Sequence, residues 1–323
     1  MNAMYRSLGL SKQAFHQRLD RYLLKRSEQE QLVLLIYRIR EDHPTMGVRD
    51  MYYKLNPATM GRDAFEEYCR EEGLMLERNK SYKRTTDSSG VIRFENLLIG
   101  LEINKINQVW QSDITYYEIN GRYYYITFIE DAFSRKVIGY NVSSRLTTEQ
   151  TTLIAIKSAI RSRTRNNNKL KGLIFHSDGG GQYYDKEFLK LTSKHEILNS
   201  MCEYAWENGK AERLNGVIKN NYLKHRKINS FEDLVKEVDR SVHLYNYEKP
   251  HIKLKRMTPI EFEKSYICNG QQIDGEKSAM ELNSQLMDFY SPSGCGQQIS
   301  SSNIALELNK KISDKLVKTV NAI

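Results

Sequence analysis

The sequence has no long apolar run. All of its hydrophobic stretches fall well short of the roughly 20 consecutive apolar residues that span a bilayer. The opening stretch, MNAMYRSLGLSKQAFHQRLD, also lacks the apolar block of a secretory signal. We therefore expect no membrane association and a cytoplasmic location. With 40% apolar and 28% charged residues, the 323-residue chain is long enough for two or three domains.

Cysteine is scarce and scattered. The four cysteines (Cys69, Cys202, Cys268 and Cys295) lie far apart and form no CxxC pair. This spacing argues against a structural zinc site and, in a reducing compartment, against disulfides.

Positive charge is in excess, and much of the excess is clustered. The formal net charge is +9 and the sequence pI is about 9.1. Three runs in the second half concentrate lysine and arginine: RSRTRNNNKLK (161–171), KNNYLKHRK (219–227) and KPHIKLKR (249–256). Any single run is equally consistent with a solvated surface. Several runs with Tyr and Asn interleaved favour a polyanionic partner, most simply nucleic acid.

Residues 1–80 are predicted to be entirely helical. Ser11 is placed to cap a first helix, and the capping-box pattern SEQE at 27–30 predicts the start of a second. Two shorter helices follow, separated by a turn around Asn56 and ended by Gly73. This is a helix-turn-helix outline. The pattern alone fits DNA binding and plain helical packing equally well.

Residues 81–107 resemble a linker, and the character of the chain then changes. Three β-rich segments joined by short turns predict an antiparallel meander, and alternating helices and strands follow it. This order predicts an α/β core at 108–266 with a ribonuclease H-like mixed sheet flanked by helices. Ser230 and Thr258 are predicted to cap two later helices. Residues 267–323 are rich in Gly, Ser, Gln and Asn, and are predicted to be mostly disordered.

Three carboxylates stand out in the core. Asp113 lies in the first predicted strand on the face opposite Trp110, and a buried unpaired aspartate needs a partner or a metal. Asp178 follows an apolar strand and precedes three glycines, which permit the close approach of a ligand. Glu212 lies beside the apolar face of a basic helix. Glu207 is predicted to lie in the preceding loop or first turn, where it complements the helix dipole.

Together these oxygens suit a hard divalent cation. Mg²⁺ prefers carboxylate ligands, and two such ions stabilise both the attacking and the leaving oxygen of a displacement at phosphorus. Two neighbouring candidates have simpler interpretations. Asp131 is predicted to cap a turn. His176 is predicted either to orient a water or phosphate or to be packed structurally.

Five motifs in order resemble the bacterial insertion-sequence transposases of the OrfB type, whose core is similar to retroviral integrases. They are QVWQSDITY, YYITFIEDAFSRKVIGY, FHSDGGGQY, NGKAERLNGVIK and YNYEKPHIKLKRMTPIEF, between residues 43 and 265. The resemblance implies Asp113, Asp178 and Glu212 as catalytic metal ligands of a DDE enzyme. Asp178 and Glu212 enclose slightly fewer residues than is usual in that family.

The resemblance also implies partners. Lys219 is expected near DNA, and Lys210, Arg213 and Asn215 on the same helix are predicted to bind DNA with it. Mg²⁺ is the expected cofactor, and Mn²⁺ is expected to substitute. The expected reaction is cleavage of transposon ends and joining of 3′ hydroxyls to target DNA. Further expectations are a homo-oligomer on DNA, an upstream-frame helix-turn-helix protein as partner, and nucleoid association. The alternatives are a decayed transposase that only binds DNA and a nuclease of the same fold.

Overall fold

The computed structural model describes residues 11–76, 94–164, 170–202 and 205–272. The predicted disordered tail, apart from its first residues, and part of the predicted linker lie outside these ranges. The helices are α1 (Lys12–Asp42), α2 (Val48–Leu55), α3 (Arg62–Glu71), α4 (Thr152–Thr164), α5 (Lys186–Lys194), α6 (Gly209–Val217), α7 (Phe231–Tyr247) and α8 (Pro259–Gln272). The strands are β1 (Val109–Ile119), β2 (Arg122–Asp131), β3 (Val137–Ser143), β4 (Ile174–Ser177) and β5 (Leu198–Met201).

The N-terminal region is helical as predicted, but its first helix is longer. Ser11 caps α1 by accepting a hydrogen bond from the amide of Ala14 at 3.1 Å. The predicted second start at residues 27–30 is wrong, because α1 continues through it without a break. No glycine or proline precedes Ser27 in the helix, and the i,i+4 ion pair of Arg26 with Glu30 supports continuous helix there. Helices α1, α2 and α3 share a small core that includes Ile36, Met51 and Phe65.

Five strands form one mixed sheet in the order β3-β2-β1-β4-β5. The first three strands are antiparallel, and β4 and β5 add parallel to the edge of β1. This confirms the predicted ribonuclease H-like fold. Asn120 and Gly121 make the β1–β2 turn with φ of 51° and 78°. Positive φ at both central residues is what a tight type I′ hairpin requires.

Helices cover both faces of the sheet. On one face, α4 and α5 pack over a core that includes Trp110, Phe175 and Phe188. Gly139 of β3 permits a close approach there, because a Cβ at this position would lie 2.4 Å from the carbonyl oxygen of Ala155. On the other face, α6 and α7 bury a second core that includes Phe128 and Ile218.

The later helices begin where their capping residues predict. Ser230 caps α7 in a capping box, with its side chain accepting from the amide of Asp233 at 3.0 Å. Thr258 caps α8, and Glu261 answers it by accepting from the Thr258 amide at 2.8 Å. A separate 3₁₀ turn over Thr148–Gln150 precedes α4, which begins at Thr152.

The N-terminal helices contact the sheet domain on the α6–α7 side. His43 lies 3.2 Å from the hydroxyl of Tyr222, and Lys54 forms an ion pair with Glu248 at 3.0 Å. All the described residues up to Cys268 belong to one compact unit. No helix in the described ranges is both long and apolar enough to cross a bilayer.

Candidate active site

Asp113 lies in β1, and Asp178 follows directly after β4, the parallel strand next to β1. The register pairs Gln111 of β1 with His176 of β4. Asp113 and Asp178 each lie two residues further along, and therefore at the same level of the sheet. Asp113 Oδ2 accepts a hydrogen bond of 2.8 Å from the side-chain amide of Asn215, and Asp178 Oδ1 accepts one of 3.1 Å from the amide of Gly180.

The electrostatics of the two aspartates indicate mutual crowding. Burial, followed by the negative charge of Asp178, raises the pKa of Asp113 to about 7, and Glu212 adds to the same effect. Burial also raises the pKa of Asp178. In the described part of the chain, neither aspartate forms a salt bridge with a lysine or arginine. Two partly buried carboxylates that lack such a partner are poised to take up a cation.

Glu212 approaches this pair from α6. Ala211, Leu214 and Ile218 are buried against the sheet, as predicted for the apolar face of this helix. This packing leaves Glu212 exposed in the first turn, where its charge reaches Asp113. Among the described residues, no three acidic, histidine or cysteine side chains are close enough to hold a metal ion. The three carboxylates are thus neighbours, but they do not converge on a single point.

The four predicted DNA contacts on this helix occupy two different flanks. Asn215 is buried and bonded to Asp113. Lys219 donates to the carbonyl of Tyr116 at 2.8 Å and lies 5.0 Å from the centre of its ring. Lys219 lies beyond the end of α6 at Val217, in a π-helical turn over Ile218–Tyr222.

Lys210 and Arg213 line a cleft on the other flank of α6. At ~100° per residue, Arg213 lies ~100° and Lys210 ~160° around the helix from Glu212. Helix α6 therefore separates a carboxylate flank from a cationic one.

Several polar residues support the site without having been singled out in the sequence. Ser112 Oγ lies 2.9 Å from the hydroxyl of the buried Tyr183, and Ser112 O accepts 3.0 Å from the side-chain amide of Asn208. Tyr183 follows the three glycines after Asp178, and Asn208 follows Glu207, so both fall in motifs already noted. These bonds connect β1 to the segment that follows Asp178 and to the turn that precedes α6.

The neighbouring candidates have structural roles. Asp131 accepts hydrogen bonds from the amides of Phe133 and Ser134, both at 3.0 Å, which confirms the predicted turn cap. His176 is buried against Ser200 at 2.9 Å, and burial lowers its pKa to about 4, so the ring is packed and neutral. Glu207 lies in the 3₁₀ turn Ala205–Asn208 before α6, as predicted.

Comparison with known proteins agrees with this arrangement. Two models described as "Integrase core domain" match residues 104–205 and 195–259. The first range contains Asp113 and Asp178, and the second contains Glu212 and Lys219. Together the two matches make residues 104–259 similar to integrase core domains.

Curated transposase relatives extend over much of the chain. An insertion element IS600 31 kDa protein of Shigella sonnei is 25% identical over 229 residues, which are 69% of this chain and 82% of that protein. A putative IS986/IS6110 transposase of Mycobacterium tuberculosis is 29% identical over 51% of this chain and 61% of its own length. Among solved structures, the match to the HTLV-2 integrase catalytic core in complex with magnesium covers 48% of this chain and 95% of that chain, at 22% identity and a TM-score of 0.39.

Proposed function

We propose that this protein is a transposase that cleaves the ends of its insertion sequence and joins the 3′ hydroxyls to target DNA. The observation that carries the proposal is the placement of Asp113 and Asp178 at one level of the sheet with Glu212 beside them. The raised pKa values of both aspartates are consistent with a site built to receive positive charge.

An all-oxygen set of carboxylates fits Mg²⁺, with Mn²⁺ as a substitute. Bound there, the metal would supply charge stabilisation to the attacking and leaving oxygens of phosphoryl transfer. Asp113 and Asp178 are its proposed ligands from the sheet, and Glu212 its ligand from α6. The Asn215 amide holds one oxygen of Asp113 and so fixes the orientation of that carboxylate. The hydroxyl that attacks belongs to the DNA, so no covalent protein intermediate is required.

DNA is the proposed substrate, both as element ends and as target, and this would place the protein at the bacterial nucleoid. The net charge of +9 supports a polyanionic partner. Helices α2 and α3 are the proposed end-recognition elements, which an upstream-frame helix-turn-helix protein would supplement.

A homo-oligomer on DNA is also proposed, and the outer face of α1 supports it. Exposed apolar residues recur on one side of the helix, with the Arg26–Glu30 ion pair between them. They are Leu19, Leu23, Leu34 and Tyr37. The pattern is nearly symmetric about residue 28, with Leu23 and Leu34 offset by half a residue. An antiparallel second copy would place apolar residues against apolar residues and Arg26 against the partner's Glu30. Light scattering on Leu23→Glu and Leu34→Glu, which should be monomeric, tests this pairing.

A strand-joining assay tests the function. Purified protein is incubated with a labelled oligonucleotide of the element end and a supercoiled plasmid, in Mg²⁺, in Mn²⁺ and in EDTA. We expect labelled plasmid with either metal and none in EDTA. Binding without chemistry would identify a decayed transposase, and cleavage without joining would identify a nuclease. Either result contradicts the proposal.

A further inference from the structure

A cleft of about 330 Å³ lies on the flank of α6 that faces away from Glu212. The positively charged residues that line it come from the β2–β3 turn, α6 and the α7–α8 connection. The cations are Arg135, Lys210, Arg213, Lys249 and Lys253. Two acidic residues, Asp50 and Glu130, also reach it. The lining therefore carries an excess of positive charge in a concave surface.

The two acidic residues do not neutralise this excess. Asp50 forms an ion pair with Arg256, which is outside the lining. Glu130 is buried, and its Oε1 accepts from the hydroxyl of Tyr245 at 3.2 Å. The nearest cation to Glu130 Oε2 is Arg135, at the long distance of 4.0 Å. Burial raises the pKa of Glu130 to about 7, so its charge is weakened near neutral pH.

Two cations of the cleft, Lys210 and Lys249, are partly buried, and like charges act on both. Burial lowers the pKa of Lys249; the charge of Asp50 opposes this effect, and the charges of Arg213 and Arg256 add to it. Burial, followed by the charge of Arg135, lowers the pKa of Lys210, whose ammonium donates to the carbonyl of Ala132 at 3.2 Å. Crowded, partly buried cations are costly unless an anion joins them.

Unpaired polar atoms at the same place point to a missing ligand. Glu130 Oε2 and His251 Nε2 are both buried with no hydrogen-bond partner. Both residues line the cleft. Burial and then the charge of Lys249 lower the pKa of His251 to about 3, so its ring is neutral. Buried polar atoms are nearly always bonded in folded proteins, and two such atoms in one cleft indicate groups reserved for a ligand.

We propose that this cleft binds a phosphate group of DNA, at a position other than the reacting phosphate. The inference rests on the proposed function for the identity of the anion as a phosphodiester. The volume and the apolar lining of Pro250 and Ile252 suit a nucleotide unit. Lys249 and Arg213 donate to the phosphate oxygens. Because α6 separates the cleft from the carboxylates, DNA contacts both flanks of this helix.

The test compares a cleft variant with a matched surface variant. Arg213 and Lys253 are exposed, so Arg213→Glu combined with Lys253→Glu changes the cleft without disturbing a core. The control combines Lys157→Glu with Lys186→Glu, two exposed lysines on α4 and α5. Both carry the same change of net charge. The alanine pair at 213 and 253 provides a second version if the charge reversal lowers the thermal unfolding temperature.

Affinity for duplex DNA is measured by fluorescence anisotropy in EDTA over a salt series. Each lost phosphate contact should reduce the slope of log K against log salt by roughly 0.9. We expect a shallower slope for the cleft variants than for the control. Equal slopes would overturn the proposal. A second result would also overturn it. Inorganic phosphate would bind saturably and depend on Arg213 and Lys253, while the cleft variants and the control had equal DNA slopes. The anion would then be a free phosphate.

This readout is independent of catalysis. If wild-type protein fails to join DNA in Mg²⁺ but the slopes differ, the proposed function fails and the phosphate cleft stands. If joining succeeds and the slopes are equal, the proposed function stands and the phosphate cleft is contradicted.

Discussion

Two acidic clusters in this molecule differ in whether the chain itself supplies cations to pair with their carboxylates. In the first cluster, Asp131 accepts three backbone hydrogen bonds and lies 3.6 Å from Arg163. Glu263, beside it, accepts from Ser134 at 2.7 Å and from Lys136 at 2.8 Å, and it is paired with Arg163. Burial raises the pKa of Glu263, but its bonds to Arg163 outweigh this and bring the pKa below its ordinary value.

The second cluster, Asp113, Asp178 and Glu212, lacks such partners. Asp113 accepts a side-chain amide hydrogen bond from Asn215, and burial and the charges of Asp178 and Glu212 raise its pKa. The chain therefore supplies its own cations to the first cluster, where acids hold the β2–β3 turn to α4 and α8. It leaves the second cluster to an external cation. The comparison separates structural acids from proposed catalytic ones within one sheet.

The largest expected effect is loss of joining when a carboxylate of the second cluster is neutralised. Glu212→Gln, Asp113→Asn and Asp178→Asn should each reduce strand joining by more than about 100-fold, because loss of even outer-shell metal partners costs roughly 10- to 100-fold. DNA affinity in EDTA should stay near that of the wild type. Glu207→Gln is the matched control and should be mild. An inactive Glu207→Gln beside an active Glu212→Gln would contradict the assignment on α6.

The first cluster should respond in stability instead. Arg163→Met leaves Asp131 and Glu263 buried without their shared cation, and breaking a buried ion pair costs roughly 3–5 kcal/mol. Urea unfolding in EDTA measures the loss. Arg161→Met, on the exposed side of the same helix, should stay within about 0.5 kcal/mol of wild type. Asp113→Asn should not be destabilising, since it removes a repelled charge. Equal stability losses for Arg163→Met and Asp113→Asn would contradict the proposed difference between a structural and a catalytic cluster.

Much of the sheet and its carboxylates could be predicted from local patterns. Alternation in β1 places Asp113 opposite Trp110, and turn residues at Asn120 and Asp131 mark the strand ends. The capping-box pattern at Ser27 is misleading for the long first helix, because it is also compatible with a helix interior. The i,i+4 ion pair of Arg26 with Glu30 and the absence of glycine and proline before Ser27 favour the continuous helix.

The polar support of the site depends on distant contacts. The Ser112–Tyr183 bond joins residues 71 positions apart, and the Asn215–Asp113 bond joins residues 102 apart. No local period encodes such pairs. The cationic cleft likewise combines three segments that are remote in sequence, and only folding brings together the basic runs that composition reveals.

Glu130 is intermediate between the two clusters, because it is buried like Asp131 but its cation, Arg135, lies at the long distance of 4.0 Å. Its folded pKa of about 7 lies above the ordinary value of 4.5. The folded state therefore binds a proton that the unfolded state releases, so stability should fall as pH rises from about 4.5 to 7 and level off above. The slope from this group is at most about 1.4 kcal/mol per pH unit. Glu130→Gln should remove that part of the slope in urea unfolding against pH. An unchanged slope in Glu130→Gln would assign the pH dependence elsewhere.

The smallest expected effect concerns Lys219, the cation whose charge acts on Asp113. Burial lowers the pKa of Lys219, whereas Asp113 raises it. Its ammonium donates a hydrogen bond to the carbonyl oxygen of Tyr116 and lies 3.3 Å from Thr115 Oγ1. These partners are not carboxylates. If it contacts an end phosphate, Lys219→Ala should weaken binding of end-containing DNA by about tenfold, the lower end of the cost of one charge-assisted bond. Lys219→Arg should retain part of the affinity, because the charge stays while the geometry changes.

The exposed Lys224 is the control, and Lys224→Ala should be tolerated. Anisotropy at low and moderate salt measures both. If the two alanine variants match wild type, Lys219 merely packs on β1, and the second cluster has no cation of its own that contacts DNA.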